Sequence, residues 1–382
     1  GGVRRFSGGD FVEHEFLVIS REAFGRLGTW SSIVAVTMGV PEIGIESSGV
    51  VGDVATATAD FRDEYYGLVG KLVEDSEIGG CDDRDGSPAV LTTGLVDLGV
   101  SYWGKKATRI HKRKWEGPRV AAAGIVGDAR LSKWVDARRV EKVVVATQTK
   151  VVEAFVDFSG EYVVLTPMIS VMVRGGDDIG EGEDMEKPKT ASPWHPGGED
   201  TACRRRSSRG TQKRREDMQE PKTAPAWHPE SKPDCAEDGE SGHPHPEKIK
   251  DRVDVWMVGA AIGSPVCSAF AMREFGGAAM HADALKMSAR QVLELPLPGD
   301  LGLWEEGALL FERVHGAGGK TKEKTPSDRF AATSPGSPGE EVKSGYEAAV
   351  IEFGEVMCLE YGVGGDDLEG LMGWWLGRLG IG

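Results

Sequence analysis

The stretch Lys142-Val-Val-Val-Ala-Thr-Gln-Thr-Lys-Val-Val-Glu-Ala-Phe-Val-Asp-Phe-Ser-Gly-Glu-Tyr-Val-Val-Leu165 decides the fold class of this chain. Val143 to Thr147 is a β-branched run and Val151 to Val156 is another, which marks strands rather than helices. Phe158-Ser159-Gly160-Glu161 reads as a turn into Tyr162 to Leu165, so the spacing predicts a hairpin between 151–156 and 162–165. Helices are expected on either side. Asp53 stands as the N-cap of a helix over Val54 to Val73, with Phe61, Tyr65 and Leu68 at i, i+4 and i+7. Ser264-Pro265 supplies an N-cap followed by Pro at the first helical position. Leu301 to Val314, Tyr346 to Tyr361 and Asp366 to Leu379 are further helices, and Gly362-Val-Gly364-Gly365 is the cap between the last two. The expected class is α+β: a helical N-terminal part, a β-rich middle around 140–173, more β-structure near Leu285 to Leu297, and a helical C-terminal part.

Composition sets the outer bounds. The chain has 382 residues, a net charge of −16 and 40% apolar residues, lean but sufficient for a core. Its five cysteines are an odd number, far apart and without a C-x-x-C pair, which argues against a disulfide framework or a zinc ribbon and fits a reducing, cytoplasmic compartment. The most apolar stretch, Val255 to Ala271, is interrupted by Gly259, Gly263, Ser264, Pro265 and Ser268. A membrane helix needs about 20 apolar residues, so a buried helix pair is expected there and no membrane partner.

Large apolar residues almost vanish between 174 and 250. Within that segment Glu183 to Pro196 recurs as Glu216 to Pro229, a period of 33 residues. Two copies without apolar faces do not make a solenoid, and the segment reads as a duplicated, disordered insertion. A second low-complexity stretch covers 316–344. The expected organisation is therefore 10–173 and 251–315 as a recognition region, 174–250 as an insertion, 316–344 as a linker and 345–382 as C-terminal helices.

No catalytic centre is legible. Gly316 to Thr321 resembles the end of a phosphate loop, but position 314 is Val where the first Gly belongs. His14-Glu15 lacks the second His of a zincin, and the Trp-His-Pro repeats and His243-Pro-His245 suit linker chemistry better than a metal. No metal or cofactor site is expected in this chain.

Charge carries the positive signal. Residues 101–150 hold 13 Lys and Arg against four acids, a local +9, while the rest of the chain carries −25. The densest run is Lys105, Lys106, Arg109, Lys112, Arg113 and Lys114, with Arg119 beyond it and Tyr102, Trp103 and Trp115 interleaved. Basic residues among aromatics suit phosphate contacts with packing against sugars or bases. Thr147, Gln148, Thr149 and Lys150 follow an apolar strand as a polar run within reach of a groove, where Gln can pair with adenine and Lys with guanine. Lys286, Ser288 and Arg290 alternate with Leu285, Met287 and Ala289, which predicts a strand with one polar face. A second basic cluster, Arg204 to Arg215, lies in the insertion. The competing account of the basic run is a protein-interaction or scaffold module that docks an acidic partner.

Several segments together resemble one family: Gly52 to Leu68, Thr93 to Asp97 with Tyr102-Trp-Gly104, Lys142 to Lys150, Ala282 to Arg290 with Leu295-Pro-Leu-Pro298, and Phe353 to Tyr361 with Trp374-Trp-Leu376. They resemble the C-terminal portion of adenine-specific (N-6) DNA methyltransferase-like proteins of high-GC actinobacteria, and the Leu285 to Pro298 pattern resembles target-recognition domains of restriction-modification proteins. The resemblance implies a double-stranded DNA partner, a catalytic methyltransferase domain or subunit as a second partner, and S-adenosylmethionine as that domain's cofactor. It also implies DNA contact by the residue 285–290 segment. This chain has no Pro-Pro dipeptide, so the Asn/Asp-Pro-Pro-aromatic motif that grips the target adenine is missing, and the catalytic domain is expected either upstream of Gly1 or to have been lost.

Overall fold

A strand covered on both faces can be apolar at every position, and Lys142–Ala146 is such a strand. Val143 and Val145 face a large helical core, whereas Val144 and Ala146 face a second sheet, and all four are at most 1% exposed. That double burial explains an unbroken Val run in an antiparallel strand, where alternation is the commoner pattern.

The computed structural model describes residues 2–7, 12–18, 30–59, 62–79, 86–174, 252–279, 281, 283–318 and 338–382. In chain order the elements begin with β1 (Gly2–Ser7), β2 (Val12–Val18), α1 (Trp30–Thr37), β3 (Ser47–Val50) and β4 (Ala55–Ala59). Next come α2 (Arg62–Gly67), β5 (Leu72–Glu74), β6 (Ala89–Leu91), β7 (Val96–Asp97) and β8 (Val100–Ser101). Then follow β9 (Thr108–Ile110), β10 (Arg113–Trp115), β11 (Pro118–Val120), α3 (Ala122–Ile125) and α4 (Ala129–Asp136). The β-rich middle ends with β12 (Lys142–Ala146), β13 (Glu153–Asp157), β14 (Tyr162–Val164) and β15 (Ile169–Val173). Beyond the insertion lie α5 (Val255–Gly263), α6 (Pro265–Phe275), α7 (Ala289–Leu293), β16 (Pro296–Pro298), α8 (Leu301–Gly318), α9 (Pro338–Glu360) and α10 (Gly365–Leu379).

Two four-stranded sheets stack. The first has the order β13-β12-β15-β4 and is antiparallel throughout; the second has the order β14-β6-β11-β5 with β14 and β6 parallel. Leu91, Leu95, Val164 and Phe155 fill the space between them. The outer face of the first sheet packs on α5, and the same core continues through α6, α8, α9 and α10; the outer face of the second packs on Leu68, Leu131 and Val135 near α2 and α4. The fold is thus mixed α+β with a helical C-terminal part.

The Val255 to Ala271 stretch is the centre of the helical layer. Asp254 caps α5 by accepting from the Met257 amide, and Ser264 caps α6 by accepting from the Cys267 amide with Pro265 at N1, as the N-cap and Pro preferences predict. Among the described residues no single helix is long and apolar enough to cross a membrane; α5 and α6 together reach that apolarity, but they are bent by 59° and buried within the fold. The described cysteines, Cys267 and Cys358, are free and buried, and burial pushes their thiols up to about 11 and about 12.

Three expectations are corrected. No single helix covers Val54 to Val73: Ala55–Ala59 is an edge strand on β15, only Arg62–Gly67 is helical, and Leu72–Glu74 is again a strand. Among the described residues the N-terminal part is therefore not predominantly helical. The hairpin partner of β13 is β12, not β14, which leaves for the second sheet and pairs in parallel with β6. Lys286, Ser288 and Arg290 do not lie on a strand: only Leu285 bridges Thr149, and Ser288 caps the short helix α7. The duplicated insertion, the Arg204 to Arg215 cluster, the Trp-His-Pro repeats, His243, His245, His14-Glu15 and most of the 316–344 linker lie outside the described residues or their described side chains.

Candidate nucleic-acid interface

The basic run folds as a small hairpin. β9 and β10 pair with Ile110 opposite Arg113 and Thr108 opposite Trp115, leaving His111 and Lys112 as a two-residue turn. Both turn residues have positive φ, 50° and 66°, as a type I′ turn requires. Neither is Gly or Asn, so the turn stores on the order of 1–2 kcal/mol per residue that tertiary contacts must hold. Tyr65 supplies them: its hydroxyl accepts from the His111 amide at 3.2 Å, its carbonyl accepts from His111 Nε2 at 2.6 Å, and the two rings meet edge-on at 4.5 Å.

This scaffold exposes Lys112, Arg113 and Lys114. Arg113 lies 4.1 Å over the Trp115 ring, which is 4% exposed and donates Nε1–H to the Ile110 carbonyl. Lys114 reaches Glu116 at 3.6 Å with both side chains at least 70% exposed, a pairing worth little. The other interleaved aromatics are tied to the sheets rather than to the hairpin: Trp103 donates to the Pro118 carbonyl at 3.0 Å, and Tyr102 is hydrogen-bonded to Asp97.

Lys105 and Lys106 sit on a turn whose amides donate to the Tyr102 carbonyl at 3.0 and 2.9 Å, with the Lys106 ammonium 5.8 Å from the Tyr102 ring. Beneath them burial pushes the Glu153 carboxyl up to about 8, with Asp97 raising it further and Lys106 opposing. Burial and Asp97 likewise hold the Tyr102 hydroxyl protonated. Arg119 is committed elsewhere: it donates to Asp75 at 2.6 Å and to the Ser87 carbonyl at 2.8 Å while stacking 4.7 Å over Trp103. It fastens β11 to its neighbours and is not available to phosphate in the way its place beside the basic run suggests.

Beside the hairpin lies an open cleft of about 590 Å³ lined by Tyr65, Tyr66, the Thr92–Gly94 turn, Thr108, Arg109, Thr147, Gln148, Thr166 and Pro167. Arg109 and Gln148, both candidates for DNA contact by their chemistry, thus meet in one cavity although 39 positions separate them. Gln148 holds φ +65° because its amide donates to the Leu285 carbonyl at 2.8 Å and the Leu285 amide donates back to Thr149 at 2.7 Å. Thr149 turns its hydroxyl inward to the Val151 carbonyl, and Lys150 is exposed with its carbonyl accepting from Arg378 at 2.7 Å. Lys286 is exposed one residue past the Leu285 bridge. Arg290 pairs with Glu294 at 3.0 Å on the surface of α7, and Ser288 is occupied by its cap to the Gln291 amide.

Nothing in the sequence joins Tyr66, which is 61% exposed, or Thr92, Thr108 and Thr166 to Arg109 and Gln148, because folding brings them together from separate segments of the chain. Helical spacing puts Tyr65 on a core face, and its role in holding the hairpin is visible only in three dimensions. Among the described residues no three His, Cys, Asp or Glu side chains are arranged to hold a metal. The one parallel strand pair among them, β6 and β14, is not joined by a single helix, so the described residues do not form the glycine-loop crossover that binds nucleotide cofactors. No protein-family model matches this chain, and no curated protein sequence matches it.

Proposed function

We propose that this chain is the DNA-binding target-recognition portion of an N-6 adenine DNA methyltransferase of restriction-modification type, with methyl transfer supplied by a separate catalytic domain or subunit that holds S-adenosylmethionine. The observation that supports this most is the type I′ hairpin that exposes Lys112, Arg113 and Lys114 beside a cleft holding Arg109 and Gln148. A methylase extrudes its target base at a cost of a few kcal/mol. Phosphate contacts that fix register and base-edge contacts that choose the site offset that cost. The hairpin supplies the first kind, together with Lys105 and Lys106, and Gln148 supplies the second. Thr149, Lys150 and Lys286 flank Gln148 through the Leu285 bridge.

The net charge of −16 does not stand against this reading. At physiological salt the Debye length is about 8 Å, so a local cationic hairpin acts independently of carboxylates on another face. Fluorescence anisotropy with a labelled duplex over a salt series tests the proposal. Affinity that falls log-linearly with salt, at a slope near −0.9 per phosphate contacted, and displacement by unlabelled duplex support it. Salt-insensitive or absent duplex binding, with capture of an acidic polypeptide instead, would favour a scaffold role.

A further inference from the structure

Resting on the DNA-binding reading above, we infer that the cleft beside the hairpin receives one unpaired base of the bound DNA, stacked on Tyr66, its edge read by Gln148 and its phosphate held by Arg109. The chemistry of the lining points to a nucleotide. Among the described residues Arg109 is the one formally charged side chain of the cleft, so the occupant is favoured if anionic. Tyr66 presents a ring that is 61% exposed and meets Tyr65 edge-to-face at 5.4 Å, which fixes its orientation and leaves it available to a planar partner. Threonine methyls and hydroxyls complete the wall, and the Thr93 hydroxyl is buried there with no hydrogen-bond partner among the described residues. At about 590 Å³ the cleft falls within the 300–1,000 Å³ range of small-molecule sites, ample for one nucleotide.

Gln148 provides the second, independent observation. A non-glycine residue at φ +65° is costly, and here the Thr149–Leu285 bridge imposes that conformation on an exposed residue at the rim of the cleft. Its side chain makes no hydrogen bond among the described residues, so the amide keeps both its donor and its acceptor for a base edge, and an adenine accepts that pair bidentately. Strain retained at an exposed polar residue is characteristic of a functional site.

The test compares a duplex carrying a single bulged adenine with the same duplex fully paired, by anisotropy at one salt concentration, with free deoxyadenosine monophosphate as a third arm. The bulged duplex should bind about 5- to 150-fold tighter, the range of base stacking on an aromatic side chain. Tyr66→Ala and Gln148→Gly should each remove most of that preference, and Tyr66→Ala should leave the salt slope on paired duplex unchanged. Glycine adopts the +65° backbone without strain, so Gln148→Gly removes the side chain without endangering the fold, and a thermal melt checks both variants. Equal affinity for both duplexes, with salt-dependent binding intact, would overturn the cleft assignment and leave the DNA-binding reading standing. Binding of the free nucleotide without preference for the bulge would overturn it in favour of a soluble ligand. Failure to bind either duplex would overturn both readings together.

Discussion

Lys142 and Asp157 stand directly opposite each other in the β12–β13 register, their Nζ and Oδ2 atoms 2.5 Å apart and both side chains fully buried. The pair is completely partnered. Lys142 also donates to the Arg138 and Val140 carbonyls, and Asp157 also accepts from the Glu161 and Tyr162 amides. Asp157 thereby turns the chain out of the first sheet and into β14 of the second. Replacing one partner strands a buried charge, which typically costs about 3–5 kcal/mol. Lys142→Met and Asp157→Ala should each lower stability by that amount in urea denaturation. The double variant should recover only part of it, because the two amides at the start of β14 stay without an acceptor.

Glu360 makes stability fall as pH rises from about 4.5 to about 9. The residue ends α9, is 2% exposed, and neither carboxyl oxygen has a hydrogen-bond partner among the described residues. Burial pushes the carboxyl up to about 9; the nearby Gly307 backbone partly offsets this, and Glu306 and Asp300 add to it. The ordinary value is 4.5, so below that pH the group is protonated in folded and unfolded chains alike and its contribution is fully present. Above it the folded chain holds a proton that the unfolded chain has released. Stability then declines by up to about 1.4 kcal/mol per pH unit until the folded group ionises near 9. Glu153, raised to about 8, acts with the same sign. Urea midpoints measured from pH 5.5 to 8.5 should fall steeply for the parent chain and less steeply for Glu360→Gln; parallel curves would refute the assignment.

Ser288 separates structure from recognition. Its hydroxyl accepts from the Gln291 amide, and the Gln291 side chain reaches back to the Ser288 amide at 2.8 Å. This reciprocal box is worth about 1 kcal/mol. Ser288→Ala should lower the unfolding free energy by about that much and leave duplex affinity unchanged, whereas Lys286→Ala should do the reverse. A fall in affinity without a fall in stability at Ser288 would restore the DNA contact that the resemblance implies.

The elements whose signals are local are legible in the sequence. Ser264-Pro265 marks the start of α6, the double-glycine segment after Tyr361 caps α9, with Gly362 at φ +72°, and the β-branched runs mark β12 and β13. Partner choice is not legible. Periodicity within Tyr162 to Leu165 says strand but cannot say which strand it joins, and the answer lies about 70 positions upstream, at Ala89 to Leu91. Gly160, at φ +68° and packed against the Arg139 and Val140 backbone, fixes that departure through a tertiary contact. Two local signals are present but outweighed: Ala55-Thr-Ala-Thr-Ala59 alternates as an edge strand does, and Ser288-Ala-Arg-Gln291 spells a capping box. The cleft is half legible, since Arg109 and Gln148 stand out by chemistry while Tyr65 and Tyr66 reach it only through folding.

The basic residues divide into two groups that salt dependence can tell apart. Lys112, Arg113 and Lys114 project from a hairpin whose backbone is held by Tyr65 and Trp115, so removing their charge leaves the scaffold intact. Arg119 instead bonds Asp75 and the Ser87 carbonyl with a half-buried guanidinium. If all three hairpin cations meet phosphate, the triple alanine variant should flatten the log–log salt slope by about 2.7, at 0.9 for each phosphate no longer neutralised, with little change in the melting temperature. Arg119→Ala should lower stability by about 1.5–3 kcal/mol, the value of a hydrogen bond to a charged group, and leave the slope unchanged. Lys112 carries one further condition. It occupies φ +66° in the turn, so Lys112→Gly is the milder replacement: it keeps the turn, removes the charge, and should account for about a third of the slope change by itself. An unchanged slope in the triple variant would show that the hairpin does not meet the phosphate backbone, whatever affinity remains.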